Sequence, residues 1–133
     1  MKIRSLFVLS FLLTVSVAPV HAENNPAPHK AHHLVVVWLK QHGDKNIRNQ
    51  YIEASKGLAK LPGVLSYNIG TPAMMKRDNP SPALDDSFDI AISSTFESLQ
   101  ALENYSKHAE HQKVIQDVLK PLVAKYKVYD FVE

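Results

Sequence analysis

From residue 32 onward, apolar residues recur in two rhythms, one of period two and one spaced by three and four. His32 to Lys40 (HHLVVVWLK) is β-branched and free of Gly and Pro, which predicts a first strand. It is apolar at odd and even positions alike from Leu34 to Leu39, whereas a strand with one wetted face alternates. This strand therefore needs cover on both sides. Asp44 predicts an N-cap, and Ile47, Tyr51, Ala54, Leu58 and Leu61 then mark one helical stripe that Pro62-Gly63 stops. Val64 to Gly70 (VLSYNIG) predicts a second strand, with Leu65, Tyr67 and Ile69 on one face.

Thr71 to Asp86 is a loop kept irregular by Pro72, Pro80 and Pro82, and it reads as a lid, an edge cover or a plain connection. Ser87 to Phe96 predicts a third strand through Phe88, Ile90, Ile92 and Phe96. Ser94-Thr95-Phe96-Glu97 resembles a capping box opening the second helix. That helix is expected to run through Leu99, Leu102, Tyr105, His108 and His111 to Val114, Val118 and Leu122, with Pro121 in a broken turn. Leu99, Leu102, Val114 and Val118 are expected in the core. Lys125 to Val132 (KYKVYDFV) predicts the last strand.

The order β-α-β-β-α-β is the ferredoxin-like arrangement, an α+β fold with a four-stranded antiparallel sheet and helices on one face. That leaves the other face bare, against the demand of the first strand. A second copy packed sheet to sheet, a homodimer, meets the demand, and a hetero-partner meets it equally.

The N-terminus stands apart from this pattern. Lys2 and Arg4 precede an apolar run from Leu6 to Val17, and Val20-His21-Ala22 places small residues where a signal peptidase reads. Residues 1–22 are expected to be a cleaved signal peptide, which puts the protein in the periplasm or outside the cell. The run is shorter than the roughly 20 residues of a spanning helix, so no membrane anchor is expected after cleavage. Residues 23–31, with Pro26 and Pro28, read as a flexible leader, and residues 32–133 as one domain. Of 15 Lys+Arg, two leave with the signal, while all 13 Asp+Glu remain, so the mature chain is formally neutral. Its basic residues are scattered, which argues against nucleic acid as a partner. There is no cysteine, which excludes disulfides, thiolate metal sites and thiol nucleophiles.

The candidate chemistry lies in Tyr105-Ser-Lys-His108-Ala-Glu-His111. Residues three apart on a helix are neighbours, so this spacing gathers a phenol and two imidazoles. His111 can take a proton from a carbon acid near neutral pH. His33 can orient it or polarise a carbonyl, and Tyr105 can donate to a developing enolate oxygen. Such assistance accelerates a reaction about a hundred- to ten-thousand-fold. A structural reading stands beside this one: the same groups can hydrogen-bond each other and fix the helix on the sheet. His29, His32, His33, His108 and His111 also raise a metal, but no carboxylate completes a recognised motif, and neither metal nor cofactor is expected.

The residues resemble the stress-responsive α/β-barrel, or Dabb, family. The matching pieces are His33 to Lys40, Leu61-Pro-Gly-Val64, Gly70, Phe96 to Leu102, Tyr105 to His111 and Val128-Tyr-Asp-Phe131, together covering residues 32 to 132. The resemblance implies a dimeric α+β barrel. Some members are plant polyketide cyclases with histidine and tyrosine in a cavity between sheet and helices; related barrels are monooxygenase-like, some without a cofactor. Carried over, the catalytic set is His111, His33 and Tyr105, with His108 adjacent. The first-helix tyrosine of the cyclases falls at Ala54, with Tyr51 one turn earlier, and Ala109 stands where the family has proline after the histidine. His108, Tyr51 and Trp38 are the candidates for contacting a ligand, Trp38 reading also as a core or interface aromatic. The expected role is to hold a small apolar, aromatic or keto molecule, with a cofactor-free cyclase-, isomerase-, lyase- or monooxygenase-like activity as the alternative.

Overall fold

The computed structural model describes residues 28–133. The predicted signal peptide and most of the predicted leader lie outside the described residues. Four strands form one antiparallel sheet: β1 (Ala31–Leu39), β2 (Val64–Gly70), β3 (Ile90–Phe96) and β4 (Val123–Val132), in the order β2-β3-β1-β4. The doubly apolar β1 is thus an inner strand, paired along both edges, with helices over one of its two faces.

Helix α1 (Lys45–Ser55) starts where Asp44 Oδ1 accepts the amides of Asn46 and Ile47 at 2.8 and 3.0 Å. It tightens into a 3-10 turn over Lys56–Lys60. Its predicted stripe faces the sheet: Tyr51, Leu58 and Leu61 are buried, and Ile47 and Ala54 pack against them. The turn that follows depends on Gly63, whose φ is +82° and whose missing Cβ would meet the Ala101 Cβ at 2.7 Å. A glycine here lets the first helical unit and the second approach closely.

The second helical unit is interrupted. Helix α2 (Leu99–Lys107) ends at His108, which is extended (φ −61°, ψ 133°), and α3 (Ala109–Val114) begins there. A π turn over Ile115–Leu119 and a 3-10 turn over Lys120–Leu122, which contains Pro121, complete the segment. The N-cap of α2 is Ser98, whose hydroxyl accepts the Ala101 amide at 3.1 Å. Ser94, expected to cap it, lies within β3 instead. Pairing with β1 continues to Ala31↔Phe96, and this ladder overrides the local capping signal.

Three further expectations change. Leu99, the first residue of α2, is exposed, and so is Val118; the π turn rotates the stripe so that Leu119 takes the buried place. A bulge between Val64 and Ser66 turns Leu65 outward, away from Tyr67 and Ile69. β3 starts at Ile90 because Ser87 is held in a local turn by Asp85. The core lies between the helices and one face of the sheet, centred on Val37, Leu58, Ile90, Ile92, Phe96 and Leu102.

Candidate functional site

Strand register builds the site. On the helix-covered face, Ile69, Ile92, Val35 and Val128 form one apolar row across all four strands. One step along the strands, Tyr67 pairs with Ser94, Ser94 with His33, and His33 with Asp130. One member from each strand thus makes a polar row beneath the helices. Beyond it, Phe96, Ala31 and Val132 are apolar again. Side chains of paired residues share a face, so the register places these groups side by side.

Tyr105 of α2 covers this row. It is buried, with its ring centroid 4.8 Å from Phe96, 6.4 Å from His33 and 4.5 Å from His111. The three residues expected to act together, His33, Tyr105 and His111, are therefore brought together, although not on one continuous helix. His108 is the exception in its own segment: its Nδ1 accepts the Glu110 amide at 3.2 Å and caps α3. The interruption of the helix at His108 ends the regular helical alignment of the three residues, and α3 sets His111 back against Tyr105.

His33 Nδ1 donates to Asp130 Oδ1 at 2.6 Å. That bond leaves Nε2 as the nitrogen able to meet a ligand. The His111 pKa is lowered, chiefly by burial of the ring, next by the neighbouring charge of His33 and also by that of His108; the Ser106 carbonyl opposes them. Its Nδ1 is buried without a hydrogen-bond partner among the described residues. Burial raises the Tyr105 pKa strongly, with Tyr67 and Tyr51 adding to the shift. Burial likewise raises Tyr51, with a contribution from Tyr67, and Tyr67 itself, where a hydrogen bond with Ser55 works the other way. Burial thus keeps all three phenols neutral, and Tyr51 contributes to the Tyr105 shift from α1.

Trp38 does not join them. It lies on the open face of the sheet, where Nε1 donates to Ser87 Oγ at 3.0 Å and Lys125 Nζ sits 4.2 Å from the ring centroid. His32 also faces that side, stacked 4.7 Å from Phe131. Sequence reasoning missed Asp130, Tyr67 and Ser94 as members of the site. The period-two pattern could place Tyr67 on the inner face, but only register reveals the row.

A second cluster was also missed. The Asp89 carboxylate accepts the Leu39 and Gly43 amides, His42 Nδ1, and Arg48 Nε and Nη2, all within 3.1 Å. Burial alone would raise its pKa, but these donors hold it well below the usual carboxylate range. Two hollows open away from both clusters. One of about 420 Å³ lies within the loop, against Met75, Arg77, Leu84 and Phe88; the other, about 300 Å³, lies on the open sheet face by Leu34, Asn68, Gly70 and Ser93. We place the site at the polar row rather than at either hollow, because there His33, Asp130, Tyr105 and His111 come together between apolar rows. Among the described residues, no group of three His, Asp or Glu side chains could hold a metal ion, and no helix is long and apolar enough to cross a membrane.

Comparison with known proteins agrees with this architecture. A Dabb family protein with a ferredoxin-like fold from Mesorhizobium loti is 24% identical, with 79% of this chain and 97% of that one covered at a TM-score of 0.64. A dimeric ferredoxin-like protein of unknown function from Thermobifida fusca is 18% identical, covering 85% of this chain and 100% of that one at 0.63. A hydroxynitrile lyase from Passiflora edulis is 20% identical, covering 81% of this chain and 95% of that one at 0.62. Likeness at these identities establishes the shared fold. No curated protein matches the chain by sequence. The model of the stress-responsive A/B barrel domain, Dabb, matches residues 31–133, and the chain belongs to that family.

Proposed function

We propose that this chain is an exported homodimer that holds a small apolar or aromatic molecule between its helices and the polar row of its sheet. The observation that carries this reading is the row itself: Tyr67, Ser94, His33 and Asp130 set between apolar rows and capped by Tyr105 and His111. A layer built only for stability would be apolar there, because buried polar groups cost free energy unless paired. Apolar walls with a few convergent polar groups are what a small-molecule site needs.

Assembly rests on the open face. Leu34, Val36 and Trp38 share it with Tyr129 and Phe131, and the last two are about half exposed. A sheet-to-sheet pair would cover them, and structural neighbours from Thermobifida fusca and Bacteroides fragilis are described as dimeric. Export rests on the N-terminal pattern of charge, apolar run and small residues.

A second reading is favoured by one specific contact, the His33–Asp130 pair beside His111. A carboxylate-oriented imidazole next to one kept neutral by burial can pass a proton between two positions of a ligand. On this reading the protein performs cofactor-free acid-base chemistry on a keto or aromatic substrate, with Tyr105 donating to the oxygen that gains charge.

Native mass spectrometry of the mature protein tests the binding reading. A dimer mass with a co-purified small molecule is expected, and a monomer without one at micromolar concentration would overturn it. For the catalytic reading, His111→Ala is expected to slow turnover of a responsive substrate about a hundredfold or more. Unchanged turnover would leave binding alone.

A further inference from the structure

Ser94 is fully buried in the middle of β3, registered between Tyr67 on one side and His33 on the other. Its flanking neighbours on the same face, Ile92 and Phe96, are core residues. Its hydroxyl has no hydrogen-bond partner among the described residues. An alanine would fill this position without stranding a polar atom, and a β-branched apolar residue would suit the strand better. The hydroxyl therefore serves neither packing nor the ladder.

Its surroundings define what could satisfy it. Tyr67 is its register partner, Tyr105 lies 6.4 Å from the neighbouring His33, and the imidazole of His111 lies against Tyr105. Phenols and a serine supply hydrogen-bond donors, whereas the carboxylate at the end of the row is already engaged by His33. Among the described residues, no lysine or arginine of a strand faces that side. The lysines of β4 face the opposite side, with Lys125 over Trp38 and Lys127 paired with Val36, and the one charged strand residue on the covered face is Asp130.

We infer that Ser94 is a ligand-contacting residue that recognises an uncharged carbonyl oxygen on a molecule with an apolar or aromatic body. The inference rests on the reading of the polar row as a ligand site and adds the identity of the atom read there. Ser94 Oγ donates to that oxygen, and the phenols around it exclude a carboxylate by offering neutral dipoles without a countercharge. A hydrocarbon of the same shape leaves the hydroxyl stranded and binds less tightly.

Acetophenone, α-methylstyrene and benzoate separate these features: the second replaces the carbonyl oxygen by a methylene group, and the third adds a charge. Calorimetric titration of the full-length mature protein is expected to show acetophenone binding about tenfold more tightly than α-methylstyrene, with benzoate weaker still. Ser94→Ala and the size-matched Ser94→Cys are expected to abolish the preference for acetophenone while keeping the affinity for α-methylstyrene and the melting temperature. Equal binding of ketone and hydrocarbon to the unmodified protein, or a preference that survives both substitutions, overturns the role of Ser94 while leaving the ligand site standing. Benzoate binding as tightly as acetophenone overturns the uncharged class. A fall in melting temperature for both variants shows a structural hydroxyl and overturns the inference as well. If neither neutral molecule binds, the ligand reading fails and takes this inference with it.

Discussion

Two histidine–aspartate pairs stand in this small domain, and they differ in how much of the carboxylate is used. Asp89 is fully buried and receives five donors from β1, the loop after it and α1, so His42 is one contact among several. Asp130 is about half exposed, and its side chain's one hydrogen bond among the described residues is with His33. A saturated carboxylate ties the backbone of the β1–α1 loop to the start of β3 and has no capacity left for a ligand. One holding a single imidazole fixes that ring and leaves its second nitrogen available. The same two residue types thus do different work, and the count of donors separates a clamp from a site.

The sharpest way to break this contrast is to remove the clamp. Asp89→Ala leaves Arg48 without its buried partner and two amides unsatisfied, and is expected to cost about 3–5 kcal/mol of folding free energy by denaturant titration. A loss under 1 kcal/mol would show that Asp89 is no clamp. Asp130→Asn is expected to cost about 1 kcal/mol or less in the same measurement, because the side chain is half in water. It should nevertheless weaken ligand binding or turnover about tenfold by releasing His33. A large stability loss with binding intact would reverse the roles of the two pairs.

Acid titration sharpens the comparison. The folded-state pKa of His111 lies below its ordinary 6.5, so the unfolded chain binds more protons just under that value. Its contribution to stability is complete above pH 6.5 and is lost as the pH falls toward the lowered value. The folded-state pKa of Asp89 is also lowered, so its contribution holds above its ordinary 3.8 and is lost only in stronger acid. Melting temperature followed against pH should therefore fall in two separate stages. His111→Ala should remove the first and keep the second. The smallest effect belongs to His42→Ala, expected to cost under about 1 kcal/mol because its ring is mostly exposed and four other donors remain on Asp89.

The sequence revealed elements whose signals are local. The stripe of α1 and the cap at Asp44 could be read directly, as could the doubly apolar β1, because each depends on residues within a few positions. The polar row could not, since Tyr67, Ser94, His33 and Asp130 are far apart in the chain and meet only through pairing. His33, Tyr105 and His111 were found as residues, but by a spacing argument that assumed one unbroken helix. Nothing such as Gly or Pro marks the break at His108, whose own ring supplies the cap that makes it. Ser94 was misread for a related reason: a serine before Glu97 signals a helix start until the strand opposite claims it.

Each strand contributes one member to the row, and this has a consequence for how the working protein comes into being. The edge strands supply its ends and the inner strands its middle, so no hairpin, half-sheet or truncated chain contains the whole of it. On the proposed ligand reading, selectivity and complete folding arrive in the same step, and a half-formed intermediate can be sticky but has no means of choosing what it holds.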